Sequence, residues 1–268
     1  MNLFRPKSVR VAVAGIGLTL ALSTQAADSA PPLSPNALAS QLSALRQDGA
    51  SYVRLRLEIK GATKETLQLQ IKERRTRNAT EVVYQVLFPK ERKGESVLLR
   101  KIGNRPASGS VFTPPNTIRT IDDLKEPLLG SDLSYEDVVE DFFAWDQQAI
   151  IGTEDVDGVS CQILESKPGK GQRSIYGSVR SWIDTRRLVP LRVDKYANSG
   201  QLLRRIDTTR VVADAGHHIP ANLSVRSGRQ DSSTSLDGSR IKHDVNFADR
   251  EFTIEGLKEI AVPHTSSD

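Results

Sequence analysis

Cysteine is nearly absent. Cys161 stands alone in 268 residues, so no internal disulfide can form and stability has to come from an ordinary core. It lies in a strand-like run, residues 159–164, where a small buried apolar residue is the expected reading and a reactive thiol is not. Methionine occurs only at position 1. Aromatic residues make up 5% of the chain, and Trp145, Trp182 and the scattered Tyr and Phe do not interleave with Arg as a single-strand nucleic-acid groove requires. Beyond residue 26 no stretch approaches the roughly 20 apolar residues that cross a bilayer. G-x-S-x-G and P-loop patterns are missing as well, and the pair Gly15 and Gly17 sits in a leader-like segment that cannot serve as a nucleotide loop.

That leader is the first thing present. Arg5, Lys7 and Arg10 precede a charge-free apolar run at residues 11–22, and Thr24 and Ala26 supply the small residues of a cleavage site after Ala26. A signal peptide is therefore expected over residues 1–26 and one domain over residues 27–268. No Cys stands in or just after the apolar run to carry a lipoprotein anchor, so the exported product is expected to be soluble. The leader also holds three of the cations behind the net charge of +4 and no acid. The remainder is close to neutral, which removes the electrostatic case for nucleic acid and leaves only transient or partner-mediated membrane contact.

Periodicity sets the fold class. Ser34 and Pro35 supply an N-cap and a first-turn proline for a helix carrying Leu38, Leu42 and Leu45 on one stripe. Residues 52–60 then alternate, with Val53, Leu55, Leu57 and Ile59 on one face and Arg54, Arg56, Glu58 and Lys60 on the other. Leu67, Leu69 and Ile71 form the hairpin partner across the turn at residues 61–63. Strand-like runs follow at 79–88, 95–102 and 110–113. After a central helical segment they resume at 148–153, 159–165, 176–184, 188–196, 201–212, 219–226 and 232–247. The class is α+β, mostly β: one large curled antiparallel sheet with helices against one side. The inward apolar face is either a filled core or an open cavity, and periodicity does not separate the two.

The most distinctive stretch is Gly130-Ser131-Asp132-Leu133-Ser134-Tyr135-Glu136-Asp137-Val138. Ser134 and Asp137 have capping-box spacing, and Val138, Val139 and Phe142 form the apolar side of the helix they start. This segment resembles the GSDFSYEDL motif of the LolA-like family of outer-membrane lipoprotein-sorting proteins, the group that includes the treponemal phospholipid-binding domain. Leu133 replaces the usual Phe and Val138 the usual Leu. Flanking matches are residues 111–115 and 118–121, then 156–161, 181–184 with Val189-Pro190, and Lys195-Tyr196 followed by Gly200.

The resemblance implies a half-open antiparallel β-barrel of about 11 strands with helices covering the concave face, around a cavity for acyl chains. It implies a periplasmic carrier of lipid or lipoprotein acyl chains, for transfer toward the outer membrane, and it favours the open cavity over the filled core. The alternative it leaves is an accessory subunit of an inner-membrane, RND-type lipid exporter that binds no lipid itself. Candidates for the cavity or its lid are Leu55, Leu57, Leu69, Phe112, Leu133, Tyr135, Val138 and Phe142. Gly130, Ser131 and Asp132 form the motif turn, with the following helix as part of a lid or hinge.

Enzyme readings are weaker. Ser239-Arg240-Ile241-Lys242 matches S-x-x-K, but on a strand Ser239 and Lys242 face opposite sides and no K-T-G accompanies them. His217, His218, His243 and His264 have no acidic residues at ligand spacing, and adjacent His217 and His218 on a strand would diverge. Glu136, Asp137, Glu140 and Asp141 read as the solvated face of a capped helix and not as an acid/base pair. The expectation is a non-enzymatic protein with no cofactor and no metal.

Overall fold

The computed structural model describes residues 33–45, 49–76, 78–228 and 231–260. The leader expected at residues 1–26 and His264 lie outside the described residues. Helix α1 (Pro35–Ala44) starts as its sequence dictates, with Ser34 in extended backbone accepting the N–H of Ala37 and Pro35 in the first turn.

Six strands follow as a meander: β1 (Gly49–Lys60), β2 (Lys64–Thr76), β3 (Ala79–Phe88), β4 (Ser96–Ile102), β5 (Ser108–Thr113) and β6 (Thr117–Thr120). A link over residues 121–146 contains α2 (Tyr135–Val139) between two 3-10 turns, Leu128–Gly130 and Phe142–Ala144. A second meander comprises β7 (Gln147–Val156), β8 (Val159–Lys167), β9 (Ser178–Asp184), β10 (Val189–Tyr196), β11 (Leu202–Asp214), β12 (His217–Ser227) and β13 (Ser233–His243). Helix α3 (Ile254–Leu257) follows.

All thirteen strands belong to one sheet, ordered β6-β5-β4-β3-β2-β1-β13-β12-β11-β10-β9-β8-β7. The two meanders meet at the antiparallel β1–β13 pair, so the first and last strands form the middle of the sheet. The edges are β6 and β7, which are consecutive in the chain. Their link must therefore cross a whole face of the sheet from one edge to the other, and that face is the inner one.

Two expectations are corrected. Among the described residues the sheet has 13 strands where about 11 were expected, and it is not closed, which fits the half-open arrangement expected from the resemblance. The unforeseen strand is β6, whose four residues are all exposed and so show no in–out alternation. Helical cover is also divided: α1 and the link lie on the inner face, whereas α3 packs on the outer one.

The inner face carries two apolar clusters. In the β1–β5 half, Leu57, Leu69, Val82, Val86, Val97 and Leu99 pack against Leu128, Leu133, Tyr135 and Val139 of the link. In the β7–β10 half, Leu164, Val179, Ile183 and Val193 pack against Leu38 and Leu42 of α1 and against Phe142, Phe143 and Trp145. Ile206 of β11 touches both.

The outer face of β2–β5 is covered too. Phe252 and Leu257 seal Val83, Leu98 and Phe112, and beside them runs a buried polar row. The Tyr52 hydroxyl donates to Gln70 Oε1 at 3.0 Å, Gln70 Nε2 to Gln85 Oε1 at 2.8 Å, and Gln85 Nε2 to the Glu259 carbonyl at 3.0 Å. Lys72 is buried and its ammonium reaches Glu251 at 2.7 Å. These residues look from sequence like an ordinary wet face. They are dry because the row satisfies itself from Tyr52 to Gln85 and the C-terminal segment lies over it with partners for Gln85 and Lys72.

Phe252→Ala is expected to lower unfolding stability by about 3–5 kcal/mol, since the fully buried ring leaves a cavity against three strands. Urea unfolding checks this through a reduced midpoint with the slope unchanged.

Candidate functional site

The link begins with a tight loop. Leu129 and Gly130 both have positive φ, 51° and 85°, a conformation cheap for glycine and strained for leucine. Leu129 holds it by burying its side chain among the β1–β5 cluster. The loop closes on itself through Leu128 N–H to the Leu133 carbonyl at 2.8 Å and Ser131 N–H to the Leu128 carbonyl at 2.9 Å. At its end Ser134 and Asp137 form the expected capping box, Ser134 Oγ accepting the Asp137 N–H and Asp137 Oδ2 accepting the Ser134 N–H.

Each acid of the motif is then tied to a different part of the sheet. Asp132 accepts from Ser227 Oγ at 2.6 Å, Thr234 Oγ1 at 2.8 Å and Ser232 Oγ at 2.9 Å, all from the β12–β13 hairpin. Glu136 accepts from the Ile175 N–H at 3.0 Å and from the Ser174 hydroxyl. Asp137, with a side chain 0% exposed, meets Lys195 Nζ of β10 at 2.7 Å, the Arg204 guanidinium of β11 and the Tyr176 hydroxyl at 2.7 Å. Glu140 takes Lys101 Nζ of β4 at 2.6 Å and Trp145 Nε1 at 2.9 Å. Asp141 accepts from the Ser43 hydroxyl at the end of α1. The expected solvated face of acids is thus corrected: Glu136, Asp137 and Glu140 have buried side chains, Asp141 is half-buried, and each carboxylate is matched to a donor.

Burial alone would raise the Asp137 carboxyl pKa, but the Lys195 and Arg204 charges outweigh it and hold it below the usual carboxylate range. Glu136 has no cation in contact, and burial pushes it up. Tyr176 is pushed upward by burial and by the Asp137 charge, so it stays a donor at every physiological pH.

The link covers only part of the inner face. Beyond it, β1, β11, β12 and β13 continue and line an open groove of about 700 Å³. Its walls are mainly apolar and half-buried: Val53 and Leu55 of β1, Leu236 and Ile241 of β13, Leu223 and Ile219 of β12. The volume falls among small-molecule sites, roughly 300–1,000 Å³. A smaller, more polar cleft of about 230 Å³ lies between the β2–β3 and β4–β5 turns and the end of the link, near Arg75, Asn104, Glu140 and Trp145.

The sequence-derived candidates separate in space. Leu55 lines the groove. Leu57, Leu69, Leu133, Tyr135 and Val138 come together in the packed β1–β5 cluster, and Phe142 sits with α1 in the other. Phe112 points to the outer face against Phe252 and Leu257. Gly130 forms the bend, while Ser131 and Asp132 are buried in the anchored loop. The groove residues of β11–β13 carry little signal because their alternation looks like that of any strand. Lys195 and Arg204 did carry one. They sit directly opposite each other, two pairs along from Val193 and Ile206 and so on the same face, and two facing cations at inward positions require an anion between them.

Other candidates remain dispersed. Ser239 lies in β13, and His217 and His218 are exposed at the start of β12. His243 Nε2 is 2.6 Å from Asp214 Oδ2. Among the described residues no group of three or more His, Cys, Asp or Glu could hold a metal ion. Cys161 is buried with Trp182, Val189 and Leu191, and burial raises its thiol pKa.

Asp137→Ala leaves two buried cations without their anion and is expected to cost about 3–5 kcal/mol. Because the Asp137 carboxyl is held low in the fold, its contribution is complete above the ordinary carboxylate value and fades as pH falls through the folded value. Urea titrations of wild type and variant should therefore differ most at neutral pH and converge below about pH 4.

A family model described as that of an uncharacterised protein matches residues 78–259. No curated protein matches. Among solved structures, a DUF1329 family protein from Desulfovibrio piger superposes with a TM-score of 0.76 at 23% identity, covering 83% of this chain and 97% of that one. A protein domain from Vibrio parahaemolyticus assigned to outer membrane lipoprotein sorting gives 0.75 at 19%, covering 84% and 98%. A LolA superfamily protein from Nitrosomonas europaea gives 0.68 at 15%, covering 84% and 100%. At these identities the likeness establishes the fold.

Proposed function

The chain belongs to a LolA-like family of uncharacterised proteins, and from that premise we propose that it is a non-enzymatic periplasmic carrier of lipid or lipoprotein acyl chains. The observation that supports this reading is the open apolar groove on the inner face, beyond the reach of the link. A filled core would have the link or α1 over those residues. Here Val53, Leu55, Leu223, Leu236 and Ile241 are left half-buried, ready to be covered by a ligand.

Burial is the whole chemistry of such a carrier. Each methylene removed from water gains about 0.8 kcal/mol, so one chain of some 16 methylenes gains on the order of 13 kcal/mol gross. Relative to a bilayer the gain nearly cancels. Loading and release then need no catalytic group or cofactor, only a partner or membrane that shifts the equilibrium. The leader at residues 1–26 supplies export to the periplasm, and transfer proceeds toward the outer membrane by transient contact. An inner-membrane transporter is the natural donor.

Protein purified from the periplasm is expected to yield lipid on solvent extraction, identified by mass spectrometry, and to take up a fluorescent fatty acid. Leu223→Glu places a charge on the groove wall and is expected to weaken that uptake more than 10-fold while the melting temperature stays within a few degrees. An empty protein that takes up no fatty acid refutes the carrier. If that protein also co-purifies stably with a transporter, it is the accessory subunit instead.

A further inference from the structure

The groove is a split in the sheet. Among the described residues, β12 and β13 pair from Asn222–Val225 to Thr234–Asp237. Past that point β12 stays with β11 as far as the Asp214–His217 pair, and β13 stays with β1 as far as the His243–Ser51 pair. Two hairpin-like walls therefore diverge from a short shared root, and the apolar lining faces inward from both.

The sequence builds the divergence. Pairing shifts register in β11–β12 between Thr208 and Arg210 and again between Arg210 and Val211, and in β1–β13 between Val53 and Leu55. Bulges bend a strand and increase its twist, and these cluster where the walls part. Pro220 stands on the diverging stretch of β12; proline is tolerated in a sheet where a strand has an unpaired edge. At the root, Gly238 lets the backbones meet: a Cβ there would lie 2.8 Å from the Ala221 carbonyl oxygen. Arg210 also ties this root, donating to the Asn222 side chain at 2.9 Å and to the Gly238 carbonyl at 3.2 Å.

At the far end, the tip of β11–β12 is joined to β13 by Asp214 Oδ2 and His243 Nε2, 2.6 Å apart. Both residues are partly exposed, so this contact is weak enough to open and close.

Resting on the reading of the groove as an acyl-chain site, we propose that residues 210–221 of the β11–β12 hairpin form its movable wall, hinged at the bulges and clasped to β13 by Asp214 and His243. Acyl chains enter by parting this wall from β13. The link does not move, because its carboxylates hold it to β4, β10, β11 and the β12–β13 hairpin root.

The test uses the full mature chain with Cys161→Ala, Asp214→Cys and His243→Cys, joined by a short bis-maleimide or by a reducible analogue. Linked protein is expected to take up fluorescent fatty acid at least 10-fold more slowly than the same protein unlinked, with the rate restored when the reducible linker is cleaved. Equal rates overturn the proposal. A second measurement needs no ligand: hydrogen exchange at Ile219 and Ala221 should speed up at least 5-fold in His243→Ala, with Val225 unchanged. If neither wild type nor variant binds fatty acid, the acyl-site reading fails, and the exchange result alone decides whether the wall moves. Unchanged exchange at Ile219 and Ala221 then overturns the movable wall.

Discussion

A buried carboxylate has to be met by cations or hydrogen-bond donors, and Asp137, held by two cations, is where this fold meets that requirement most fully. Lys195 and Arg204 face each other across β10 and β11 on the inner side, a pairing that repels until an anion stands between them. The link delivers that anion from a segment far away in the chain. With Tyr176 and the Ser134 cap completing the shell, the charge cluster fixes where the link crosses, and so which part of the inner face is covered and which is left open. Asp132 and Glu140 extend the same logic to the β12–β13 hairpin and to β4. The acid-rich motif is therefore a set of rivets, and the apolar residues between them are what the rivets press against the sheet.

Topology makes this arrangement necessary. An open sheet whose edges are consecutive strands needs a connection that spans its width, and a connection of that length would be loose if only apolar contacts held it. Directional, desolvated ion pairs give it one position. The outer face solves a related problem with Lys72, Gln70 and Gln85, which accept the C-terminal segment through specific donors instead of a featureless apolar patch. Both faces are thus dry in the β1–β5 half, while the ends of β11–β13 reach past all cover and hold the groove.

Much of this was legible in the sequence, and the failures share one cause. Alternation marks nearly every strand because it reports local periodicity, and the Ser134–Asp137 spacing marks the start of α2. Strand β6 escapes because all four of its residues are wet. The buried state of Glu136, Asp137, Lys72 and Gln70 escapes because polarity predicts solvent unless a distant segment arrives with partners. The residues of the motif build a frame beside the groove. Leu55 is the candidate that reaches the groove, whereas Phe112 faces the other way by the period of two that makes strand reading possible.

The seam between β1 and β13 joins residues 51–60 to residues 233–243, so the two middle strands of the sheet are contributed by opposite ends of the described chain. Neither half can gain this pairing before β13 has been made. Contacts of such separation come late and slowly. Until the last strand emerges, β1 and the second meander each present an unpaired edge. The order of strands is therefore also a timer that postpones completion of the sheet until its last strand has been made.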